Sequence, residues 1–132
     1  MAGSTSIRGK KVLGRRGEDE ACLYLVGKGH TILERNWRTS HLEIDIVSLD
    51  KNGIHFVEVK SRTAPLEADP QDSVTYTKQK RITKAAMSYL GKMDKKLVSG
   101  DTEVFFDVAA VIFDGDRTIV EYFPQAYIPI YI

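Results

Sequence analysis

The order of the predicted elements indicates an α/β sandwich, in which helices flank a central mixed five-stranded sheet. A helical pattern precedes three extended apolar segments, and a second helical pattern separates these segments from two further ones. The chain has 132 residues, of which 42% are hydrophobic and 28% are charged. These proportions suit one compact domain that buries a core without disulfides.

The first part of the chain predicts a tail and then a helix. Residues 1–12 begin with small and hydroxyl-bearing side chains and carry no acid, so we expect a flexible basic tail. A single domain is then expected over residues 13–132. Its first helix is predicted from Leu13 to Lys28, where Gly27 and Gly29 favour an end.

Three strands are predicted next, at Thr31–Arg38, Leu42–Leu49 and Ile54–Ser61, from runs rich in β-branched and apolar residues. The sequence DKNG separates the last two and is typical of a hairpin turn. We expect Asn52 and Gly53 to supply the positive φ angles that such turns need.

The second half of the chain predicts a loop, a helix and two strands. Thr63–Thr75 contains two prolines and few large apolar residues, which favours a long mobile loop. Apolar residues between Thr77 and Met93 recur at the spacing of one helix face. Strands are predicted at Glu103–Phe113 and Thr118–Phe123, and we expect the apolar residues of 124–132 to pack on the domain.

Charged residues interrupt the two strands of the predicted hairpin. Because side chains alternate along a strand, Glu43 and Asp45 are expected on one face, and so are Glu58 and Lys60. If Asp50–Gly53 forms the loop, Asp45 lies opposite Glu58. If only the last two of those residues form it, Asp45 lies opposite Lys60. Either register places all four charged groups on the same face of the sheet.

Neighbouring carboxylates repel each other and raise each other's pKa, so this arrangement favours a cation between them. Mg²⁺ or Mn²⁺ suits carboxylate ligands with open positions. The alternative is a plain salt bridge between Lys60 and one acid at the end of the hairpin. Asp45, Glu58 and Lys60 together, among apolar neighbours, favour a functional site.

The two helices offer further candidates. Glu18 lies on the apolar stripe of the first helix, where a carboxylate is costly without a partner. It either points at the same site as Asp45 or remains hydrated in the first turn, where the helix dipole favours it. Gln79 opens the second helix and either reaches the site or caps the helix.

The histidines and one further acid predict no second site. His30, His41 and His55 have no shared metal-ligand spacing, so we expect no metal site among them. Asp107 lies among large apolar residues, which favours a structural, hydrogen-bonded acid.

The net charge is only +1, but basic residues are concentrated in two segments. Met1–Gly17 has five basic residues and no acid, and Lys78–Lys96 has seven basic residues and one acid. These segments form either a one-sided positive surface or two solvated faces. The single cysteine suits a reducing compartment, and the chain has no apolar run that spans a membrane, so we expect a cytoplasmic protein.

Asp45 followed by Glu58-Val59-Lys60 is similar to the D…(D/E)xK pattern of the PD-(D/E)XK nuclease superfamily, although Ile44 stands where the superfamily name has proline. The wider sequence resembles the YraN-like bacterial family of predicted endonucleases, from about Gly14 to Phe123. The segments that carry this resemblance are GRRGEDEA, ERNWR, EIDIV, FVEVKSR, VTYTKQKRI and FDVAAV. That family is similar in turn to archaeal Holliday junction resolvases.

The resemblance implies a restriction-endonuclease-like three-layer sandwich and a divalent-metal-dependent endonuclease that hydrolyses phosphodiester bonds in DNA. Branched or junction DNA in repair or recombination is the implied substrate, and a symmetric junction favours a homodimer. The alternative is a nucleic-acid-binding module with no turnover.

Roles for individual residues follow from the same resemblance. Asp45 and Glu58 are implied as metal ligands, and Lys60 as the residue that orients or activates water. Glu18 is implied as a helix-borne acid near the metal, and Gln79 or Lys80 as the helix residue that faces the site. Glu43 is a further candidate for supporting the site, as a ligand of a second metal ion. The expected DNA contacts come from Arg15, Arg16, Arg62, Lys78, Lys80, Arg81 and Lys84.

Overall fold

The computed structural model describes residues 7–65, 75–97 and 99–127, without the side chains of residues 7 and 8. Two helices and five strands follow the predicted order. Their bounds are α1 Ile7–Gly27, β1 Thr31–Thr39, β2 Leu42–Asp50, β3 Gly53–Thr63, α2 Tyr76–Lys92, β4 Glu103–Asp114 and β5 Arg117–Phe123.

The five strands form one mixed sheet in the order β1-β2-β3-β4-β5. β3 and β4 are parallel, and the other neighbouring pairs are antiparallel. Parallel neighbours need a crossover connection, and α2 lies in the segment between them. The predicted mixed five-stranded sheet is therefore confirmed.

The helices cover opposite faces of this sheet and make three layers. Ile82, Ala85 and Tyr89 of α2 pack in one core cluster with Phe56 and Phe106 of the sheet. The cluster on the other face includes Ala21 and Leu25 of α1 with Ile46, Val57, Ala109, Val111 and Phe113. The predicted α/β sandwich is confirmed by this arrangement.

The start of α1 differs from the prediction. The helix begins at Ile7 instead of Leu13, so residues 7–12 are helical although the sequence favoured a tail. Lys10 and Lys11 are good helix formers, and the glycines near them weaken a helix by only about 1 kcal/mol each relative to alanine. At the other end, Gly29 has a φ of 94°, as expected for a helix terminated by glycine.

The hairpin between β2 and β3 has the first of the two predicted registers. Leu49 pairs with Ile54, and Asp50 pairs with Gly53. Gly53 has a φ of 151°, but Asn52 does not have the positive φ that its sequence suggested. The Asp50 carboxylate accepts the backbone N–H groups of Asn52 and Gly53 at 2.9 and 3.2 Å, which stabilises the turn in a different way.

Strict alternation of side chains along β2, which the prediction assumed, is not observed. Ile44 and Val47 both pack in the cluster under α2, whereas Ile46 packs in the cluster under α1. Asn36 on β1 has a left-handed φ of 51° and lies between the partners of Ile46 and Ile44. The irregularity therefore lies at Asp45.

Part of three predictions falls outside the described residues. These parts are residues 1–6 of the predicted basic tail, residues 66–74 of the predicted loop and residues 128–132 of the apolar C-terminal segment. Tyr127 precedes the last of these segments and packs against Phe106, with ring centroids 5.7 Å apart. Neither helix in the described part of the chain is long and apolar enough to cross a membrane.

Candidate functional site

Three carboxylates from three elements line one open cavity. Glu18 comes from α1, Asp45 from β2 and Glu58 from β3, and the cavity has a volume of about 510 Å³. The hairpin register explains why Asp45 and Glu58 are neighbours, since it continues to the pair Ile46–Val57 just before them. The docking of α1 on β3 adds Glu18.

Asp45 lies on β2, and its side chain reaches across to β3. Its Oδ2 accepts the backbone N–H of Val59 at 2.8 Å. Burial raises the pKa of Asp45 well above the ordinary value, and the adjacent charge of Glu58 raises it further, although the Val59 hydrogen bond favours the ionised form. A cation beside both carboxylates would remove this electrostatic cost.

Glu58 and Lys60 are buried, at 8% and 5% relative exposure. Lys78 in the first turn of α2 forms an ion pair with Glu58. Burial and the nearby charge of Lys78 lower the pKa of Lys60 to about 8. The site thus holds two ammonium groups close to its carboxylates, and Lys60 lies in a medium that disfavours its charge.

Glu18 is held toward the cavity by β1. Its Oε1 accepts a hydrogen bond from Asn36 Nδ2 at 2.8 Å and lies 3.8 Å from Arg35 Nη2. Asn36 is the residue with the left-handed backbone, so the irregularity in β1 is also what aims its side chain at α1. The structure therefore brings Glu18 together with Asp45 and Glu58.

Glu43 is placed differently from those three acids. Glu43 is exposed, and its Oε2 lies 3.1 Å from Arg38 Nε, its cross-strand neighbour on β1. Gln79 lies in the first turn of α2, where its backbone carbonyl accepts the Thr83 hydroxyl. In α2, the contact with Glu58 comes from Lys78, which the sequence had suggested only as a DNA contact.

Basic side chains surround the carboxylates. Lys10 and Arg62 line the same cavity as Asp45. A second cavity shares Gly14 and Glu18 with it and is lined by Lys11, Arg15 and Arg38. The basic residues of the two cavities form a rim around the three carboxylates. We call this set the α1 rim, and its members are Lys10, Lys11, Arg15, Arg38 and Arg62.

The remaining predicted DNA contacts lie elsewhere. Arg16 is stacked over the ring of Phe113, with its guanidinium carbon 4.4 Å from the centroid. A separate cavity on α2 is lined by Tyr76, Thr77 and three of the helix's basic residues, which are Lys80, Arg81 and Lys84.

Two of the three histidines lie together with an acid, which their spacing in the sequence does not indicate. His30, Asp50 and His55 each offer one ligand atom, and these atoms all lie within 4.8 Å of one another. No spacing in the sequence signals this cluster, because His30 precedes β1 whereas the other two belong to the hairpin. Asp107 is buried and hydrogen-bonded to His55, as expected for a structural acid.

Gly17 sets the distance between α1 and the sheet. A Cβ atom at this position would overlap Ser61 Oγ and lie 2.9 Å from Ser61 Cβ. We expect Gly17→Ala to push α1 away from β3, move Glu18 out of the cavity and lower the free energy of unfolding by about 1–3 kcal/mol. Urea unfolding measures this loss.

Gly14 offers a matched control on the same helix, because a Cβ there meets nothing within 4 Å. Gly14→Ala should leave stability unchanged or raise it by up to about 1 kcal/mol through helix propensity. Adding Ser61→Gly to the Gly17→Ala variant should restore most of the loss. Equal stability of the two single variants would contradict the close-packing explanation.

Chemically, the site offers carboxylate oxygens, a buried amine and a basic rim. Oxygen ligands with open positions suit a hard divalent cation, and the rim suits an anionic polymer. The described residues at this cavity include no cysteine or histidine.

Comparisons with known proteins place the chain in a family. The model of the uncharacterised protein family UPF0102 matches residues 17–111. A protein of Bacteroides thetaiotaomicron named UPF0102 protein is 38% identical over 117 residues, which cover 89% of this chain and 93% of the relative. A Geobacter metallireducens protein of the same name is 42% identical over 117 residues, with 89% and 93% covered. A third, from Chlorobaculum parvum, is 43% identical over 112 residues, with 83% and 84% covered.

The residues matched by the family model include all three carboxylates of the cavity, Glu18, Asp45 and Glu58, together with Lys60 and Lys78. The resemblance to YraN-like proteins that the motifs carried agrees with these matches. The chain belongs to the UPF0102 family.

Proposed function

We propose that this protein is a divalent-metal-dependent endonuclease that hydrolyses phosphodiester bonds in DNA, with Mg²⁺ or Mn²⁺ as its cofactor. The supporting observation is the juxtaposition of Asp45 and Glu58 beside the buried Lys60, on a cavity that Glu18 also lines. This combination resembles the D…(D/E)xK site of the PD-(D/E)XK superfamily.

The donor set fits such a cation. Asp45 and Glu58 would hold it, with Glu18 as a further oxygen ligand, because each lines the same cavity. When bound, a divalent cation supplies charge stabilisation to the phosphate and lowers the pKa of water. A module that only binds nucleic acid gains nothing from buried carboxylates where phosphates approach.

The chain's own residues account for the other requirements of the reaction. Lys60 holds the attacking water in place and exchanges a proton with it, since its buried amine is shifted toward neutrality. Lys78 offsets the charge of Glu58 and is positioned to contact substrate phosphate once Glu58 holds a cation. The α1 rim contacts the phosphate backbone without reading bases.

Branched or junction DNA in repair or recombination is the substrate class we propose, by analogy with the junction resolvases that the family resembles. A homodimer fits a symmetric junction. The substrate class and the homodimer are proposed from analogy with those resolvases. We propose the cytoplasm as the compartment, because such a protein would meet DNA there.

Cleavage of labelled DNA tests the activity. Four-way junction, flap, single-stranded and duplex DNA are incubated with the protein and Mg²⁺ or Mn²⁺, beside Asp45→Asn. We expect cleavage by the wild type that EDTA abolishes and that Asp45→Asn lacks, because the substitution removes a ligand charge. Glu43→Gln is the matched control and should cleave normally, because Glu43 is paired with Arg38 at the rim. Binding in EDTA with no cleavage in either metal would instead support a non-catalytic binding module.

A further inference from the structure

A cluster of two histidines and one aspartate lies near the hairpin turn. His30 Nε2 is 3.4 Å from Asp50 Oδ2, and His55 Nε2 is 2.8 Å from Asp50 Oδ1. The two imidazole centroids are 4.5 Å apart. The Nε2 atoms of both rings therefore converge on the two oxygens of one carboxylate.

The other nitrogen of each ring is held by a separate partner. His30 Nδ1 lies 2.9 Å from Ser48 Oγ, and His55 Nδ1 lies 2.7 Å from Asp107 Oδ2. Asp107 is fully buried and is fixed in turn by the Tyr122 hydroxyl and the Gln125 backbone N–H. Metal-binding histidines are usually oriented in this way, with the second nitrogen bonded to a carboxylate or another oxygen.

The number of protons on the His55 ring is a further argument for a metal ion. Both of its nitrogens face carboxylate oxygens, but a neutral imidazole carries only one N–H. The second contact requires either a second proton or a metal ion. A proton serves only the His55–Asp50 contact, whereas a metal ion would also engage His30, whose Nε2 faces the same carboxylate.

The ligand types indicate which ion fits. Two imidazoles and one carboxylate suit a borderline ion such as Zn²⁺ better than Mg²⁺, and three protein ligands leave a fourth position for water. The side chains are 8%, 12% and 9% exposed for His30, Asp50 and His55, so the cluster is sheltered but reachable by an ion.

The cluster is separate from the carboxylate cavity. His55 is three residues from Glu58 on β3, and Asp50 is five residues from Asp45 on β2. At roughly 3.3 Å per residue these separations correspond to about 10–17 Å along the strands. None of the three residues lines the cavity that contains Glu18, Asp45 and Glu58.

We propose that His30, Asp50 and His55 form a zinc site with three protein ligands. Bound Zn²⁺ joins the start of β1 to both strands of the hairpin, and through Asp107 it is braced against β4. Zn²⁺ binds an imidazole nitrogen only when that nitrogen carries no proton, so Zn²⁺ and protons compete for the two Nε2 atoms. This inference does not rest on the proposed nuclease activity.

Zinc uptake by the untagged 132-residue chain tests the proposal. The protein is stripped with chelator and dialysed against Zn²⁺, its metal content is measured, and affinity is determined by calorimetry. We expect one equivalent of Zn²⁺ and a rise in thermal stability. Substitution with Co²⁺ should give the visible absorption of a four-coordinate nitrogen–oxygen site, which a merely structural histidine cluster would not produce.

Matched variants separate this site from its alternatives. His30→Ala should weaken Zn²⁺ binding by at least about 100-fold, and Ser48→Ala by about tenfold through loss of ring orientation. His41→Ala removes an exposed histidine and should bind Zn²⁺ normally. Circular dichroism checks folding, and Ser48→Ala keeps the test valid if His30→Ala is destabilised.

Two results would overturn the proposal. One is the absence of stoichiometric Zn²⁺ uptake by the folded wild type. The other is unchanged affinity in folded His30→Ala and Ser48→Ala, which would place any bound zinc elsewhere. In either case His55 would be a proton-bridged structural residue between Asp50 and Asp107.

Discussion

Replacing Lys60 with methionine is expected to reduce DNA cleavage by about 10²–10⁴-fold, the usual contribution of a positioned acid–base group. Lys60 is 5% exposed and lies two residues beyond Glu58 on the same face of β3. Methionine keeps the length of the lysine chain up to Cε and its apolar contacts. It removes the amine that would hold and deprotonate water. Single-turnover cleavage rates at saturating Mg²⁺ measure the effect.

The same substitution separates loss of chemistry from loss of fold. Removing a buried ammonium in favour of an apolar side chain of similar shape should leave stability nearly unchanged or raise it. Lys60→Met should therefore unfold at the same urea concentration as the wild type or a higher one, and it should still bind DNA through the α1 rim. Lys51→Met in the exposed hairpin turn is the matched control and should cleave normally. Retention of the wild-type cleavage rate by Lys60→Met would exclude the role proposed for this amine.

The parts of the site that the sequence predicted are those that depend on local rules. Asp45 and Glu58 become neighbours once the hairpin register is known, and the turn signal and the apolar pattern limit that register to two choices, of which the structure has the one that pairs Leu49 with Ile54. The α/β architecture was predictable for a similar reason, because each element carries its own periodicity. Glu18 was predictable only as one of two alternatives, since its direction depends on where α1 docks.

The parts that the sequence did not predict depend on long-range packing or on a local exception. Lys78 reaches Glu58 because of how α2 lies on the sheet, and no periodicity specifies that position. Asn36 breaks the regular backbone of β1 with a left-handed φ, so the strict alternation assumed for β2 fails at Asp45. His30 joins Asp50 and His55 through the end of α1, which a spacing rule cannot detect.

Replacing Asp107 with alanine is expected to lower the free energy of unfolding by about 3–5 kcal/mol, since it removes one partner from a buried charged network. The carboxylate is fully buried and accepts hydrogen bonds from the Gln125 N–H at 2.9 Å and from the Tyr122 hydroxyl. It also contacts His55 Nδ1 at 2.7 Å. Urea unfolding in chelator-containing buffer measures the loss without a contribution from bound metal.

The size of this effect comes mainly from the polar groups that the substitution would leave unpaired. Alanine would remove the partner of the buried His55 Nδ1 and of the partly buried Tyr122 hydroxyl and Gln125 N–H, and an unpaired buried group costs about 1–3 kcal/mol. Asp107→Asn preserves the shape and one acceptor oxygen, so its loss of stability should be smaller. Asp114→Ala at the exposed end of the same strand should change stability by less than about 0.5 kcal/mol. If Asp107→Ala were no more destabilising than Asp114→Ala, the contacts of Asp107 with His55 on β3 and with Gln125 after β5 would not contribute to stability. A group other than Asp107 would then have to orient the His55 ring.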